Sequence, residues 1–371
     1  MKRNLYFVAL SAIALASCTN DEVIESNPGK AIAFSASTGM TTRVAATTGE
    51  TIKNDGFKVS AYTDDEDGME YISNLLVNYT EGGNWGYDGT IFWPAAKLNF
   101  FSVSPQGTNV TFAATDTKIV NYTINEKAED QIDLLYAVNM SETRTAKDEA
   151  PVSINFRHAL SQIVFRAKNT NKSMKVLIDG VKVMNVNGMG TFTYPNATTS
   201  AGAIEDKTTI GTWSGQKDPL MNGYQAGVES LTLNGVSEGD LTKTDKNDGT
   251  FVGALFMLPQ TLTPWDKKPA DADGNVNGAY FFVKCKIYNI TGYTAAQIWP
   301  KDIKNTNTEW VAIPVNDGSW EAGKKYTYTF VFGEGGGYID PRDSKYGGDP
   351  VLVPVGFNVT VDNFTGGTVG Q

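Results

Sequence analysis

Cys18 is the residue whose surroundings point most directly to a chemical reaction. It closes the run Leu15-Ala16-Ser17-Cys18, which follows a basic start at Lys2 and Arg3 and an apolar stretch over residues 5–16. A basic start, a short apolar segment and small residues before a cleavage point make up a signal peptide. We therefore expect cleavage before Cys18 and lipid on its sulfur. A signal peptide of the ordinary secretory type is the alternative that the small residues leave open.

The charge of the chain limits its partners. The formal net charge is −10, and removal of Lys2 and Arg3 with the signal peptide makes it two units more negative. An acidic chain is repelled by nucleic acids and by anionic membrane surfaces. The apolar stretch is also too short to span a bilayer. We expect no nucleic-acid partner, and contact with a membrane only through the lipid.

Histidine chemistry depends on a single residue, because His158 is the only histidine in the chain. A histidine-based zinc site or a Ser-His-Asp triad would have to use it. It lies between two strand-like runs, where a packed or capping histidine is the favoured interpretation. No Walker A loop, kinase loop or dinucleotide fingerprint is present. We expect no catalytic residue, no cofactor and no enzymatic activity.

Acidic and aromatic residues offer weaker signals. The run Asp64-Asp65-Glu66-Asp67 could hold a hard cation, but such a run after a strand is typical of a solvated loop tip. Asp271, Asp273 and Asn275 have the spacing that opens a calcium loop, yet position twelve of that loop is Phe282. No metal site is therefore predicted. Tryptophans could stack on sugar rings, although core and edge packing is the favoured interpretation; the examples are Trp85, Trp93, Trp213 and Trp299.

The elements that would position these residues are β-strands. Short alternating runs recur between turn residues along the chain, and long stretches with the 3.6-residue period of a helix are absent. Cys285 lies in one such run and is expected to be a core residue. The prediction is an all-β protein, with the following segments: signal peptide 1–17, lipidated segment and first strand 18–43, an N-terminal β-sandwich 44–160, a C-terminal β-sandwich 161–350, and a last strand 351–371.

Two strands stand out at the ends of the mature chain. Near the start, Ile32 and Phe34 alternate with small residues, and a polar stretch containing Arg43 follows. A trypsin-like protease would cut after Arg43 if that stretch is exposed. Near the end lies the longest alternation of the chain, with apolar side chains on one face at Val351, Val353, Val355, Phe357, Val359 and Val361. Pro354 in this run favours an edge strand or an inserted strand over a central one. An ordinary last strand is equally compatible with the alternation.

In their order along the chain, these features resemble the fimbrillin family, the type V pilins of Bacteroidia. The resemblance covers nearly the whole mature chain, from the signal peptide through the segments 156–163 and 256–260 to the closing stretch 336–361. The acidic pair Asp21-Glu22 also resembles the surface-export signal of Bacteroidia lipoproteins. The resemblance implies two tandem transthyretin-like β-sandwiches, export as an outer-membrane lipoprotein and incorporation into a cell-surface fimbrium.

The resemblance also assigns roles to the residues named above. An arginine-specific protease would cut between Arg43 and Val44 and remove the first strand, with Ile32 and Phe34 as its core residues. A neighbouring subunit would then donate its C-terminal strand, residues 351–361, to the groove left behind. The partners implied are other fimbrial subunits and that protease.

The sequence leaves several alternatives open. A shaft or tip subunit is favoured over an anchor, which should keep its lipid and lack a loop that can be cut. The adhesion ligand and the partner subunits are not encoded in any motif. A surface glycan-binding β-sandwich lipoprotein is the alternative function; it would show a flat row of exposed aromatic residues and a C-terminal strand paired within its own domain. A glycoside hydrolase is a third and weaker possibility, because no facing pair of carboxylates can be located.

Overall fold

The computed structural model describes residues 30–38, 52–144, 151–195, 210–217, 219–247, 250–302, 304, 308–333, 335–352 and 356–363. The predicted all-β class is confirmed. Within these ranges, no helix is long and apolar enough to cross a membrane.

In chain order the elements are β1 Phe34–Thr38, α1 Ile52–Asp55, β2 Phe57–Thr63, β3 Glu70–Tyr79, β4 Trp85–Gly86, β5 Leu98–Ser104, β6 Lys118–Thr123, a 3-10 helix Ala128–Asp130, β7 Leu135–Glu142, β8 Val152–His158, β9 Ser161–Asn169, β10 Met174–Met184, β11 Met189–Thr193, β12 Thr212–Lys217, β13 Tyr224–Gln225, β14 Leu231–Asn234, β15 Ser237–Asp240, β16 Leu255–Met257, β17 Thr261–Leu262, β18 Tyr280–Thr291, β19 Thr294–Trp299, β20 Glu309–Pro314, β21 Gly318–Ser319, β22 Lys324–Phe332 and β23 Gly356–Asn363.

The alternation of side chains explains why these segments are strands. In β22 the aromatic side chains of Tyr326, Tyr328, Phe330 and Phe332 are buried, and the residues between them are only half-buried. Successive side chains of a strand point to opposite faces, so this pattern places one face on a core and the other near water.

The N-terminal strands close into a barrel. Their order is β1-β4-β3-β2-β5-β7-β8, and β8 returns to β1. The pair β1 and β8 is parallel, and the other pairs around the barrel are antiparallel. The barrel core is mainly aromatic and aliphatic and contains Phe57, Val59, Phe100, Ile154 and Phe156.

Two further sheets follow the barrel. One has the order β13-β10-β18-β19, with β14 and β20 paired to β10 and β18; the other has the order β15-β9-β22-β23, with β16 paired to β9. They share a core in which Phe281 of β18 lies 5.7 Å from Phe165 of β9 and 4.6 Å from Tyr328 of β22, measured between ring centres. The chain passes from the barrel into the second sheet between His158 and Ser161. The division into tandem transthyretin-like sandwiches with a boundary near residue 160 remains a prediction.

A small sheet of β12, β11 and β6 joins the two halves. Its aromatic side chains pack against the outer face of the barrel, where Tyr136 of β7 lies 4.7 Å from Phe192 of β11 and 5.5 Å from Tyr194. The hydroxyl of Tyr194 donates a hydrogen bond to the carbonyl oxygen of Ser102 in β5 at 2.9 Å. Strand β5 and the first part of β7 are therefore buried on both faces.

The strand registers define three positions along the molecule. The N-terminal pole is the end of the barrel where Thr63 pairs with Leu98 and Leu98 pairs with Glu142. The joint is the opposite end, where β8 ends and β9 begins. The C-terminal pole is the end of the β9–β22–β23 sheet away from the joint, where β22 ends and β23 begins.

A hydrogen-bonded carboxylate, that of Asp64, lies at the N-terminal pole. The Asp64 carboxylate accepts hydrogen bonds from Ser141 Oγ at 2.5 Å and from Asn99 Nδ2 at 3.1 Å. These two bonds, that of Ser141 first, lower the pKa of Asp64 below its usual value. Ser141 has a φ of 57°, and its amide donates to Asn99 Oδ1 at 2.7 Å. The network thus connects the ends of three barrel strands.

Candidate assembly site

The first strand is held on both sides by backbone hydrogen bonds. On one side β1 runs parallel to β8 over five residue pairs, from Phe34 opposite Val152 to Thr38 opposite Phe156. On the other side Ile32 donates to the carbonyl of Ile91 at 2.7 Å, and Trp93 donates to the carbonyl of Lys30 at 3.0 Å. We call the space that residues 30–38 occupy, between β8 and the segment 91–93, the first-strand groove.

The inward side chains of this strand complete the barrel core. Ile32 and Phe34 are 2% and 4% exposed. The ring centre of Phe34 lies 6.1 Å from that of Phe57, 5.8 Å from Tyr87 and 6.0 Å from Phe100, each in an edge-to-face arrangement. The hydroxyl of Tyr87 also donates to the carbonyl of Ile32. Loss of the strand would leave an apolar groove with an unpaired strand edge along β8 and unpaired backbone groups along the opposite segment.

Among the described residues, the last strand is paired on one side only. Strand β23 is the terminal strand of its sheet and pairs antiparallel with β22, from Gly356 opposite Val331 to Asn363 opposite Lys324. Val359 is half-buried against the core, and Val361 is 54% exposed. Among the described residues, β23 is therefore an edge strand that carries an exposed apolar side chain, that of Val361.

The strand predicted from residue 351 is wrong at its start. Val351 and Leu352 lie in a bend, and the amide of Val351 donates to the carbonyl of Gly337 at 2.8 Å. Val351 is 9% exposed and belongs to the core shared by the two C-terminal sheets. The alternation is continuous in sequence, but this loop pairing anchors its first residues to the body of the molecule. The strand begins at Gly356, so Phe357, Val359 and Val361 are the predicted donor residues that it contains.

The comparison with protein families decides what kind of chain carries these two strands. A fimbrillin-like family model matches residues 42–344 of the 371. This chain belongs to the fimbrillin-like family. The family is one of cell-surface fimbrial proteins with a structural, adhesive role. The matched span excludes β1 and β23, so their interpretation depends on their geometry.

One solved structure shows a similar fold at low sequence identity, and two further matches are weaker. A fimbrial protein from Bacteroides vulgatus is 15% identical, with a TM-score of 0.50, and the match covers 90% of this chain and 99% of that one. Candidate cell adhesion proteins from Bacteroides uniformis and Bacteroides ovatus are 14% and 15% identical, with TM-scores of 0.44 and 0.46. Those two matches cover 91% of this chain, and 100% and 98% of the other chains. No curated protein matches the chain.

Several predicted site residues of this fimbrillin-like chain fall outside the described residues. They are Cys18, Arg43, Val44, Val353 and Val355. Their roles in lipidation, cleavage and strand donation remain predictions. The described residues fix the ends of the segment that contains Arg43: β1 ends at Thr38 and α1 begins at Ile52.

The single histidine is packed at the joint, as its sequence context predicts. His158 Nδ1 lies 2.9 Å from the nearer carboxylate oxygen of Asp133, and the two side chains are 9% and 3% exposed. Burial first, and the charge of Asp133 second, raise the pKa of the nearby Asp55. The arrangement packs the end of β8 against the start of β7.

The other residues that could act as a nucleophile or bind a metal ion are either buried in the core or exposed in a turn. Cys285 is fully buried in β18, and burial raises the pKa of its thiol well above the usual range, so the reactive thiolate is suppressed. The acidic run at residues 64–67 is an exposed turn between β2 and β3. Among the described residues, no group of three or more histidine, cysteine, aspartate or glutamate side chains could hold a metal ion.

The tryptophans do not form an exposed aromatic row. Trp265, Trp299 and Trp320 are buried, and the other four are half-buried. Trp85 packs against Phe57 at 5.1 Å, and Trp93 packs against Phe100 at 5.9 Å, in the wall of the first-strand groove.

Sequence reasoning missed the residues that line the first-strand groove. Tyr87, Phe57 and Phe100 lie far from Phe34 in sequence, and no local pattern links them to it. The only available signal was that Phe57 and Phe100 each lie in a strand with alternating apolar residues.

Proposed function

We propose that this chain is the structural subunit of a fimbrium that is assembled by strand exchange and serves adhesion. Proteolysis removes β1, and β23 of a neighbouring subunit occupies the first-strand groove. The observation that carries the proposal is the contrast between the two strands: β1 is enclosed on both edges and supplies core side chains, whereas β23 is an edge strand on which Val361 is exposed.

This contrast gives the exchange a favourable free-energy change. In its own sheet β23 makes one hydrogen-bonded ladder, and Val361 remains 54% exposed. In the first-strand groove it would have paired edges on both sides and enclosed apolar pockets. Full burial of a valine side chain contributes roughly 1.5–3 kcal/mol, so the groove is the stronger binding site for the same strand once β1 has left.

Cleavage after Arg43 fits the position of the connecting segment. Residues 39–51 join the end of β1 to α1, and α1 leads directly into β2. A cut there separates β1 from the rest of the barrel without interrupting any described strand. Before the cut, β1 occupies the groove intramolecularly, at a high effective concentration, and excludes a donor strand.

The precursor in this proposal is a lipoprotein. Acylation of Cys18 places it at the outer membrane, and an arginine-specific protease then releases the polypeptide that begins at Val44. The cleavable segment and the donor strand favour a shaft or tip position over an anchor, because an anchor should retain its lipid.

Substitution of Arg43 tests the proposal. Arg43→Ala should leave β1 in its groove, so unpolymerised subunits accumulate at the surface. Arg43→Lys is a matched control against a protease specific for arginine and should behave as Arg43→Ala. The measurement is a denaturing gel of surface-sheared material without heating, combined with N-terminal sequencing of the wild-type subunit. Heat-resistant ladders from Arg43→Ala, or a wild-type subunit that begins elsewhere than Val44, would contradict this cleavage step.

The alternative function is glycan binding by a monomeric surface lipoprotein. The pairing of β23 within its own sheet favours it, since a strand that never leaves needs no other partner. Three tryptophans are buried and four are half-buried, so they do not form the flat exposed aromatic surface that sugar stacking requires. A purified subunit that remains monomeric after cleavage at Arg43 would favour this alternative.

A further inference from the structure

The first and last strands of the chain match each other residue by residue. When residue numbers differ by 323, residue types coincide in the pairs Ala33 and Gly356, Phe34 and Phe357, Ser35 and Asn358, Ala36 and Val359, and Ser37 and Thr360. The next pair, Thr38 and Val361, shares a β-branched shape but not polarity. One residue upstream, Ile32 coincides with Val355. The two segments are about 320 residues apart in sequence, and they lie in different sheets of the subunit.

We propose that the donor strand occupies the first-strand groove in this register and in the same direction as β1, parallel to β8, with Phe357 in the place of Phe34. The inference rests on the proposed function and specifies its partner: the strand 356–363 of a second copy of this chain.

The pocket of Phe34 determines the register. Three aromatic rings surround it at 5.8–6.1 Å in edge-to-face geometry, which suits another phenylalanine. A shift of two residues would place Phe357 at Ala36, where the side chain is a half-buried methyl group, or at Ile32. A shift of one residue would turn the apolar face of the donor toward solvent.

The backbone of the groove accepts the donor in this register. Pro354, which has no amide hydrogen, falls at the position of Ala31. Among the described residues, the amide of Ala31 donates no hydrogen bond, and its side chain is exposed. Val355 falls at Ile32, whose amide donates to Ile91 at 2.7 Å, and valine supplies the same donor.

The length of the connecting segment determines the direction. Leu352 lies beside Gly336 at the C-terminal pole, and three residue steps from there to residue 355 span about 10 Å at most. The Ile32 end of the groove lies at the N-terminal pole, away from the joint, so a neighbour's C-terminal pole can approach it. At the other end Thr38 is opposite Phe156, directly beside the joint. A strand of reversed direction would have to enter there, against the acceptor's own C-terminal sheets.

Disulfide trapping tests both register and direction. Ser35 is directly opposite Ser153 of β8, and the side chain of Ser153 is exposed. In the proposed arrangement Asn358 of the neighbour takes this place, so the α-carbons should lie within the range that a disulfide spans. The full-length double variant Ser153→Cys with Asn358→Cys should form fibres whose boiled, non-reduced gel shows ladders, and reduction should convert the ladders to monomer.

Two matched variants report the competing arrangements. If the donor strand ran in the reverse direction with Phe357 still in the place of Phe34, Gly356 would be opposite Ser153. If the donor strand kept its direction but Phe357 took the place of Ile32, Thr360 would be opposite Ser153. Ser153→Cys is therefore combined in turn with Gly356→Cys and Thr360→Cys, and each single-cysteine variant serves as a background control. Covalent ladders from either of these pairs in preference to Asn358→Cys overturn the register and direction, as do fibres in which no pair cross-links. If the unsubstituted protein forms no fibres after cleavage, strand exchange itself fails, so the two failures are distinguishable.

Discussion

At the scale of single residues, Phe34 has the most demanding role in the unprocessed subunit. It is almost fully buried, and it contacts aromatic residues from three separate parts of the barrel. Its neighbour Ser35 points to the other face of the strand and is only half-buried. One strand therefore offers a core position and a matched surface position side by side.

We predict that Phe34→Ala lowers the free energy of unfolding of the unprocessed protein by about 3–5 kcal/mol, the usual cost of removing a buried aromatic side chain. Ser35→Ala should change it by less than about 0.5 kcal/mol. Guanidinium unfolding of the uncleaved protein measures both values. Fibres grown from the Phe34→Ala precursor should dissociate at the wild-type temperature, because the residue leaves with β1. Fibres that are weakened to the same extent as the precursor would show that β1 stays in the subunit.

At the scale of elements, β23 matters because it is an edge strand, and among its described side chains Val359 is the one that packs against the core. Val351 and Leu352, which anchor the chain to the C-terminal pole, precede it. Deletion of residues 356–371 therefore leaves those anchors in place. Deletion from residue 351 would also remove the core side chain of Val351. A loss of assembly could then result from misfolding instead of from the missing donor strand.

We predict that the subunit lacking residues 356–371 is a chain stopper. It should be cleaved and accept a donor strand, but it has none to offer, so substoichiometric amounts mixed with wild type should shorten the fibres. Phe357→Asp should act in the same way, because it places a carboxylate in the apolar pocket. Asn358→Asp, on the opposite face, should be tolerated. Fibre lengths from electron microscopy provide the measurement; normal lengths with the truncated subunit, or equal effects of the two aspartate substitutions, would refute strand donation by β23.

The sequence predicted the strands better than it predicted their partners. Alternation identified β22 and most of β23, because burial on one face imposes a period of two residues. The same alternation placed Val351 in a strand, since a pattern of side chains does not reveal which backbone a residue will pair with. The parallel pairing of β1 with β8 and the joining of β6 to β11 depend on contacts between segments more than sixty residues apart. No local pattern specifies such contacts.

At the scale of the whole molecule, membrane attachment is a prediction that depends on residues 1–17 and Cys18. We predict that Cys18→Ala abolishes labelling by a fatty-acid analogue and either releases the protein from the membrane fraction or leaves it as uncut precursor. Cys285→Ala is the matched control, because that thiol is fully buried and should not affect labelling. Unchanged labelling of the Cys18→Ala protein would contradict the lipoprotein assignment.

The direct continuation of β8 into β9 has a mechanical consequence. In the proposed fibre, β8 holds the neighbour's strand, and two residues later the chain continues as β9, which pairs in parallel with β22. Tension along the fibre would therefore pass along a series of strands, with only Ala159 and Leu160 between β8 and β9. Each ladder in that series would be pulled along its length, so that its hydrogen bonds share the load at the same time and do not open one after another. A fimbrium built in this way would resist fluid shear through its backbone, and its surface loops would be free to vary.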